Sequence, residues 1–487
     1  MKREFLRKKV FAGGMYEMNE EKTTKNAELT TEETENKEVV SVEENTEKKA
    51  EKNKKKRTPT QKKTAKRIRC GVAVALAVGT FAVGFFTGRM ALDPELRTLM
   101  KIKTTIQGAY YEKVTDEEFY GVLFDAVNRD LLDAYSYYIT AEEYEAVNAD
   151  AKGERSGIGV DVLTQDEQGN AQIFVAGVRG NSPAETAGLT AGDYIVGWGV
   201  MEDSLVESTI FDEFSAFLAE RKTNENFYIR VKKGDNERVL TIAKRYYVES
   251  YVFYRAKDVA YRFTGNNATE LSKGGEPLAC LDEKTAYIRL TQFNGVAAKE
   301  FSKTMKRFRE DGMKNLVLDL RGNGGGYLDI MQEIAAYFCK TSDAKKPVVA
   351  IADYGERKEK YKATGNYYDD YFDKASRICV LADNQTASAS ECLIGCMIDY
   401  GATAYSDICI SERLGEVKTF GKGIMQTTYP FLFTGDAMKL TTAVIVWPKS
   451  NHCIHGRGIL PEDGVLSVAE SYEDDVEITQ AIEKLFS

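Results

Sequence analysis

Residues 316 to 328 read Leu-Val-Leu-Asp-Leu-Arg-Gly-Asn-Gly-Gly-Gly-Tyr-Leu. Apolar residues carry a strand to Leu320, four glycines then permit a loop, and Ile330, Ile334, Ala335 and Phe338 recur at helical spacing. A strand, a glycine-rich turn and a helix could cradle a phosphate. The register fails for that use, because G-x-G-x-x-G begun at Gly322 would need glycine where Tyr327 stands. Gly421-Lys422 likewise lacks a following Ser/Thr and a correctly spaced upstream glycine.

Downstream, residues 386 to 391 read Thr-Ala-Ser-Ala-Ser-Glu and residues 419 to 426 read Thr-Phe-Gly-Lys-Gly-Ile-Met-Gln. Ala387 and Ala389 leave room for a carbonyl to approach Ser388 and for backbone N–H groups to face its oxygen. The chain holds two histidines, His452 and His455, neither near an obvious acid-bearing motif, which disfavours a Ser-His-Asp triad. A lysine can replace histidine as general base only if its ammonium is destabilised. Burial of Lys422 in the glycine-flanked apolar run Phe420 to Ile424 would lower its pKa toward neutrality. Gln426, four residues on, would share its face of a strand and could orient the amine. The competing reading, small-residue packing at Ala387–Ser390, stays open on these residues alone.

Taken in order, the blocks resemble the carboxyl-terminal processing (tail-specific) serine peptidases, which pair a PDZ module with a Ser-Lys core. The blocks are Leu316–Leu328, Ala387-Ser388-Ala389-Ser390-Glu391, and Thr419-Phe420-Gly421-Lys422-Gly423 with Gln426. Smaller matches are Asp133-Ala134-Tyr135-Ser136 with Tyr138, Tyr287–Phe293, and Gly456-Arg457-Gly458-Ile459-Leu460-Pro461. The resemblance runs from about residue 100 to the C-terminus. It implies Ser388 as nucleophile, Lys422 as base, Gln426 as the lysine's support, and an oxyanion hole from the N–H groups of Ala389 and Gly325. Asp319 and Arg321 would hold the loop, and no metal or organic cofactor is required. The Ser388–Lys422 interval is about nine residues longer than the family's usual spacing, which a surface loop at Ser406–Arg413 would absorb at little entropic cost. After the lysine strand, Val446-Trp447-Pro448-Lys449-Ser450-Asn451 replaces the family's usual turn.

The resemblance also implies a PDZ domain over residues 156–247, carried by Ser156-Gly157-Ile158-Gly159-Val160 and by Ser182-Pro183-Ala184 with Ala187-Gly188-Leu189 and Gly192-Asp193. Backbone N–H groups of Gly157, Ile158, Gly159 and Val160 would hold the carboxylate of a protein tail that adds as a strand at a sheet edge. A glycine-rich hairpin without a ligand is the competing reading.

Residues 1–69 are rich in Glu, Lys, Thr and Asn and poor in large apolar side chains, so they are expected to form a disordered tail. Lys48 to Arg69 is strongly basic, and Cys70 to Thr87 carries no charge, which predicts a transmembrane signal anchor at 70–90. The positive-inside rule puts the tail in the cytoplasm and the rest outside a bacterial cell membrane. The formal charge is −9, with +7 before Cys70 and so −16 beyond it, which argues against a nucleic-acid partner. Seven of the eight cysteines follow the span without disulfide-framework spacing, and Cys392 and Cys396 are expected to pack in the core. They could also be imagined with His452, Cys453 and His455 as a zinc site, but the chelate spacing is wrong.

The fold class expected is therefore α+β multidomain: a transmembrane helix, a helical region at 91–155, the PDZ β-sandwich or barrel-like module, and a mixed α/β peptidase core at 248–487. In the helical region Ile102, Ile106 and Tyr110, and then Leu123, Val127, Leu131 and Leu132, should be core positions. The stretch 255–283 should add a hairpin or loop turning at Gly265-Asn266-Asn267, and Asp474–Phe486 a closing amphipathic helix. The function expected is a membrane-anchored serine endopeptidase, possible as a homodimer, that grips protein C-terminal tails and cuts internal bonds nearby. The alternative is an inactive membrane-tethered PDZ scaffold that binds such tails.

Overall fold

The computed structural model describes residues 93–166, 168–265, 268–339, 346–364, 371–373, 375–412, 416–468 and 476–486. The expected tail (1–69) and membrane span (70–90) lie outside the described residues. Among the described residues no helix is long and apolar enough to cross a membrane. The chain divides into two units, with the boundary between Asp125 and Ala126.

In the first unit Asp93 caps the helix Pro94–Ala109 by accepting from Glu95 N, and Pro94 supplies a preset first-turn φ. Lys103 and Gln107 on this helix both reach Asp116, at 2.8 and 2.7 Å, at the start of the helix Asp116–Ala126. The expected core stripe is not buried: Ile102 and Tyr110 are 48% and 52% exposed, and Leu131, just past the second helix, is 76% exposed. Two short helices form no layer that could cover an apolar face, so periodicity predicts the helices here and overstates their burial.

The second unit is built on an eight-stranded sheet. Its strands Thr285–Leu290, Asn315–Asp319, Ile378–Ala382, Ile408–Ser411 and Leu466–Val468 run parallel in that order. Val252–Arg255 and the hairpin Ala260–Thr264/Glu270–Lys273 extend it antiparallel, so of the hairpin or loop expected in 255–283 the structure has the hairpin. Strands covered on both faces read as unbroken apolar runs, and alternation decides which face each residue serves. Leu316, Leu318 and Leu320 face a core shared with the helices Ala297–Glu310, Leu328–Ala335 and Ala389–Tyr400. Val317, Cys379, Leu381 and Cys409 face a second core closed by Ile478 and Ala481 of the helix Val476–Phe486. Ile408–Ser411 is buried at every position, so the expected surface insertion at Ser406–Arg413 is corrected. That stretch contributes a strand to the sheet, and Glu477 of the closing helix accepts from Ser411 Oγ at 2.6 Å.

A second sheet is centred on the long strand Ala437–Val446. Ile424–Pro430 pairs along one side of it, while Tyr137–Ile139 and Val348–Asp353 pair at opposite ends of the other. A third, six-stranded antiparallel sheet lies within Val160–Ala243 and has its own core of Ile173, Val175, Ile195, Trp198, Phe214 and Phe227. The pair Glu154–Gly157/Arg245–Val248 closes the two ends of that smaller domain.

Candidate active site

Ser388 stands at the junction of a core strand and a helix. Ile378–Ala382 ends in a turn organised by Asp383, whose Oδ1 accepts from the N–H groups of Gln385, Thr386 and Gly322. Thr386 Oγ1 donates to Leu320 O, Ala387 N to Asn323 O, and Ser390 Oγ to Asn323 O, each at 2.9–3.0 Å. These bonds strap the turn to the glycine-rich loop. The helix starts abruptly at Ala389, which leaves Ser388 at φ 58°, ψ −114°, a conformation that costs a side-chain-bearing residue about 1–3 kcal/mol. Gly325 must be glycine, since a Cβ there would lie 2.8 Å from both Ala387 O and Ser388 Cβ.

Glu391, one helical turn past Ser388, joins the two candidate catalytic residues. Its Oε2 accepts from Ser388 N and from Lys422 N, each at 2.9 Å, so the two backbone nitrogens are less than about 6 Å apart. Its Oε1 accepts from Thr419 Oγ1 at 2.6 Å and Gly421 N at 2.8 Å. Burial raises the Glu391 carboxyl above its ordinary pKa, and these four donors offset part of that rise. The motif reading quoted Glu391 without giving it a role. The available signal was Ser-x-x-Glu at 388–391, a capping box at the start of a helix.

The Lys422 amine is half-buried, and burial pushes its pKa down to about 8; the charge of Lys439 adds to the fall, and Asp133 and Glu391 oppose it. Its Nζ lies 5.0 Å from the centroid of the Tyr135 ring. Gln426 does not meet Lys422 through strand alternation. Lys422 precedes the strand, and a bulge interrupts the pairing between Met425 and Gln426, so the four-residue spacing does not set a shared face. Gln426 Nε2 instead donates to Thr441 Oγ1 at 3.2 Å.

Of the two expected oxyanion donors, Ala389 N heads its helix with no acceptor among the described residues. The Gly325 N–H donates to Asn323 Oδ1 at 2.9 Å, so in this structure it is already engaged. Asp319 and Arg321 form a buried cluster that holds the strand end: Arg321 is clamped by Asp319, with Nε–Oδ1 at 2.9 Å, and by Glu477, while Tyr287 Oη donates to Asp319 at 2.6 Å. Burial alone would raise the Asp319 carboxyl; the Arg321 charge outweighs it and holds that carboxyl far below the usual range. In the smaller domain Ile158 is buried, and Ile158 O and Gly159 O accept from Ala184 N and Arg179 N. The N–H groups of Ile158 and Gly159 have no acceptor among the described residues.

Residues 284–465, which carry Ser388, Glu391, Lys422 and Gln426, match peptidase family S41. This stretch is an S41 peptidase core. The chain is similar to the probable CtpA-like serine protease of Staphylococcus saprophyticus, with 28% identity over 394 residues, 80% of this chain and 70% of that protein. Its counterpart in Staphylococcus haemolyticus is 27% identical over 82% of this chain and 70% of its own length. Among solved structures, the photosystem II D1 C-terminal processing protease aligns over 78% of this chain and 87% of its own, at 22% identity and a TM-score of 0.44. The chain is a serine-type peptidase. The S41 match leaves out both the smaller domain and the Asp133–Tyr138 segment that reaches Lys422.

Proposed function

We propose that this S41 peptidase is a membrane-anchored endopeptidase working by a Ser-Lys mechanism on proteins whose C-terminal tails it captures. Lys422, as the free amine, takes the proton from Ser388 Oγ as that oxygen attacks the scissile carbonyl. The C–N bond breaks as Lys422 returns the proton to the leaving amine. Water then hydrolyses the acyl-serine with Lys422 again as base. Ala389 N–H, and Gly325 N–H once released from Asn323, hold the oxyanion. Gln426 acts as the third member, supporting Lys422. The observation that carries this reading is the Glu391 carboxylate, on which one oxygen accepts from the backbone of both nucleophile and base.

The 156–247 domain serves as a PDZ module, with the open N–H groups of Ile158 and Gly159 in the Gly157–Val160 turn receiving the tail carboxylate. Residues 70–90 anchor the chain in a bacterial membrane, with 1–69 cytoplasmic and the PDZ module and core outside; the unburied stripe at Ile102 supports a homodimer through the helical region.

Incubation of the full-length protein in detergent with an unfolded protein ending in apolar residues tests the mechanism, with wild type, Ser388→Ala and Lys422→Ala compared side by side. Cleavage by wild type alone supports it. Cleavage by either variant at the wild-type rate removes that residue from the mechanism.

A further inference from the structure

Residues 133–139 precede the smaller domain in sequence, lie outside the S41 match, and still arrive at the lysine. Their course is fixed by the strand Tyr137–Ile139, which pairs with Ala437–Val446 in the register Tyr137↔Lys439 and Ile139↔Ala437. Side-chain bonds reinforce it: Ser136 Oγ accepts from Thr441 N at 2.8 Å, and Asp436 Oδ1 from Ala141 N at 3.0 Å. Just upstream, Asp133 Oδ1 accepts from Tyr135 N at 2.9 Å. Two tyrosines spaced two apart then each meet a lysine: Lys422 Nζ is 5.0 Å from the Tyr135 centroid, and Lys439 Nζ is 5.5 Å from the Tyr137 centroid. Thr441, whose N–H is tied to Ser136, is also the residue that receives Gln426. One short segment therefore touches the lysine, its charged neighbour and the strand that holds the glutamine's partner.

We propose that Tyr135 is a positioning residue for Lys422, its ring seating the amine and keeping water from it, with Tyr137 holding Lys439 alongside. This rests on the reading of Lys422 as the general base. The charged groups that face Lys422 are Lys439, Asp133 and Glu391. A ring face attracts a cation, by about 0.5–2 kcal/mol, and so favours the ammonium. The same ring removes the water that would stabilise that ammonium, and the Lys439 charge repels it. Burial, and then the Lys439 charge, push the Lys422 pKa down against Asp133 and Glu391, the direction in which desolvation and repulsion act. Without the ring the amine would regain water, and the minor fraction that is neutral at about pH 7 would shrink further.

The test is kcat/KM against pH for full-length wild type, Tyr135→Ala, Tyr135→Phe and Lys439→Gln. Alongside it, acylation of Lys422 by acetic anhydride is followed by peptide mass spectrometry against pH in a Ser388→Ala background. Tyr135→Ala should move the midpoints of both profiles alkaline by about one unit, costing about tenfold in kcat/KM at pH 7. Tyr135→Phe should restore both midpoints, and Lys439→Gln should move them the same way as Tyr135→Ala. Thermal melts check that each variant is folded, and Tyr135→Leu replaces the alanine variant should that one fail. An acylation midpoint unmoved in Tyr135→Ala overturns the proposal, even with activity lost at every pH, because a purely structural role would give that result. Full activity of Lys422→Ala would remove the Ser-Lys reading instead, while the acylation profile would still report whether the ring seats the amine.

Discussion

Two cations of this protein are withdrawn from water, and they are treated in opposite ways. Arg321, at the end of a core strand, is matched by Asp319 and Glu477, so its charge is locked on. Lys422, about a hundred residues later, makes no ion pair among the described residues; its nitrogen rests on a tyrosine ring with another lysine nearby, and its pKa falls to about 8. Arginine suits the first place because its guanidinium stays protonated and fits a carboxylate with two parallel bonds. An amine suits the second because it can lose its proton when water is removed. A buried cation with matched anions holds a fold together, whereas one denied them is available for proton transfer.

The comparison breaks most visibly if the two cations are made alike. Lys422→Arg puts a permanently charged group at the base position and should cut kcat by about 10⁴-fold, with the melting temperature close to wild type. Retained turnover in steady-state assays would mean that Lys422 need not deprotonate. Arg321→Met, by contrast, leaves Asp319 and Glu477 buried without their counter-ion and should cost about 3–5 kcal/mol in urea unfolding. An unfolding midpoint equal to wild type would show that the cluster contributes nothing to stability.

The next effect belongs to the carboxylate that holds the lysine's backbone. Glu391→Gln keeps the shape but gives the side chain an NH2 where an acceptor served Ser388 N and Lys422 N, or Thr419 Oγ1 and Gly421 N. Losing two charge-assisted bonds should lower kcat/KM by about 10²-fold with a smaller change in KM. A variant altered only in KM would place Glu391 in substrate binding. The wild-type pH profile bears on the same comparison. With Lys422 as the proposed general base, which acts only when neutral, kcat/KM should climb about tenfold per pH unit below its pKa of about 8 and level off above it. A profile flat from pH 6 to 9 would exclude a titrating lysine.

How much of this was legible in the sequence depended on whether the deciding interaction was local. Alternation over Leu316–Leu320 and the glycines that follow announce a buried strand and a tight loop, because each residue's role is set by its immediate neighbours. Ser388 and Lys422 were singled out by residue type and the scarcity of histidine, and what the structure adds is that their backbone N–H groups share one acceptor oxygen. The face that Gln426 presents could not be counted from Lys422, because counting by twos presumes a regular strand, and the register shift after Met425 depends on the partner strand. The placement of extra residues at Ser406–Arg413 failed for a related reason: a length difference says that residues were added, and only the sheet says that Ile408–Ser411 pairs between two others. The approach of Tyr135 to Lys422 spans nearly three hundred residues of sequence, and no local pattern could carry it.

The smallest effect sharpens the contrast from the anionic side. Glu300 is buried in the core helix Ala297–Glu310, where its Oε2 accepts from Tyr251 N at 2.7 Å and Val252 N at 3.2 Å. Among the described residues its carboxyl has no cation to play the part Arg321 plays for Asp319, and burial pushes its pKa up to about 8, so it is mostly protonated at neutral pH. Because the folded pKa exceeds the unfolded value, the folded state holds the extra proton; the stability this brings is complete below about pH 4.5 and is lost as pH rises through about 8. Glu300→Gln copies the protonated acid, keeps an acceptor for both N–H groups and has no proton to lose. It should stay within about 1 kcal/mol of wild type at pH 6 and lose less stability than wild type on going to pH 9. Parallel urea titrations at the two pH values decide it: an equal loss in both proteins would mean that Glu300 is ionised in the fold and paired with a cation after all.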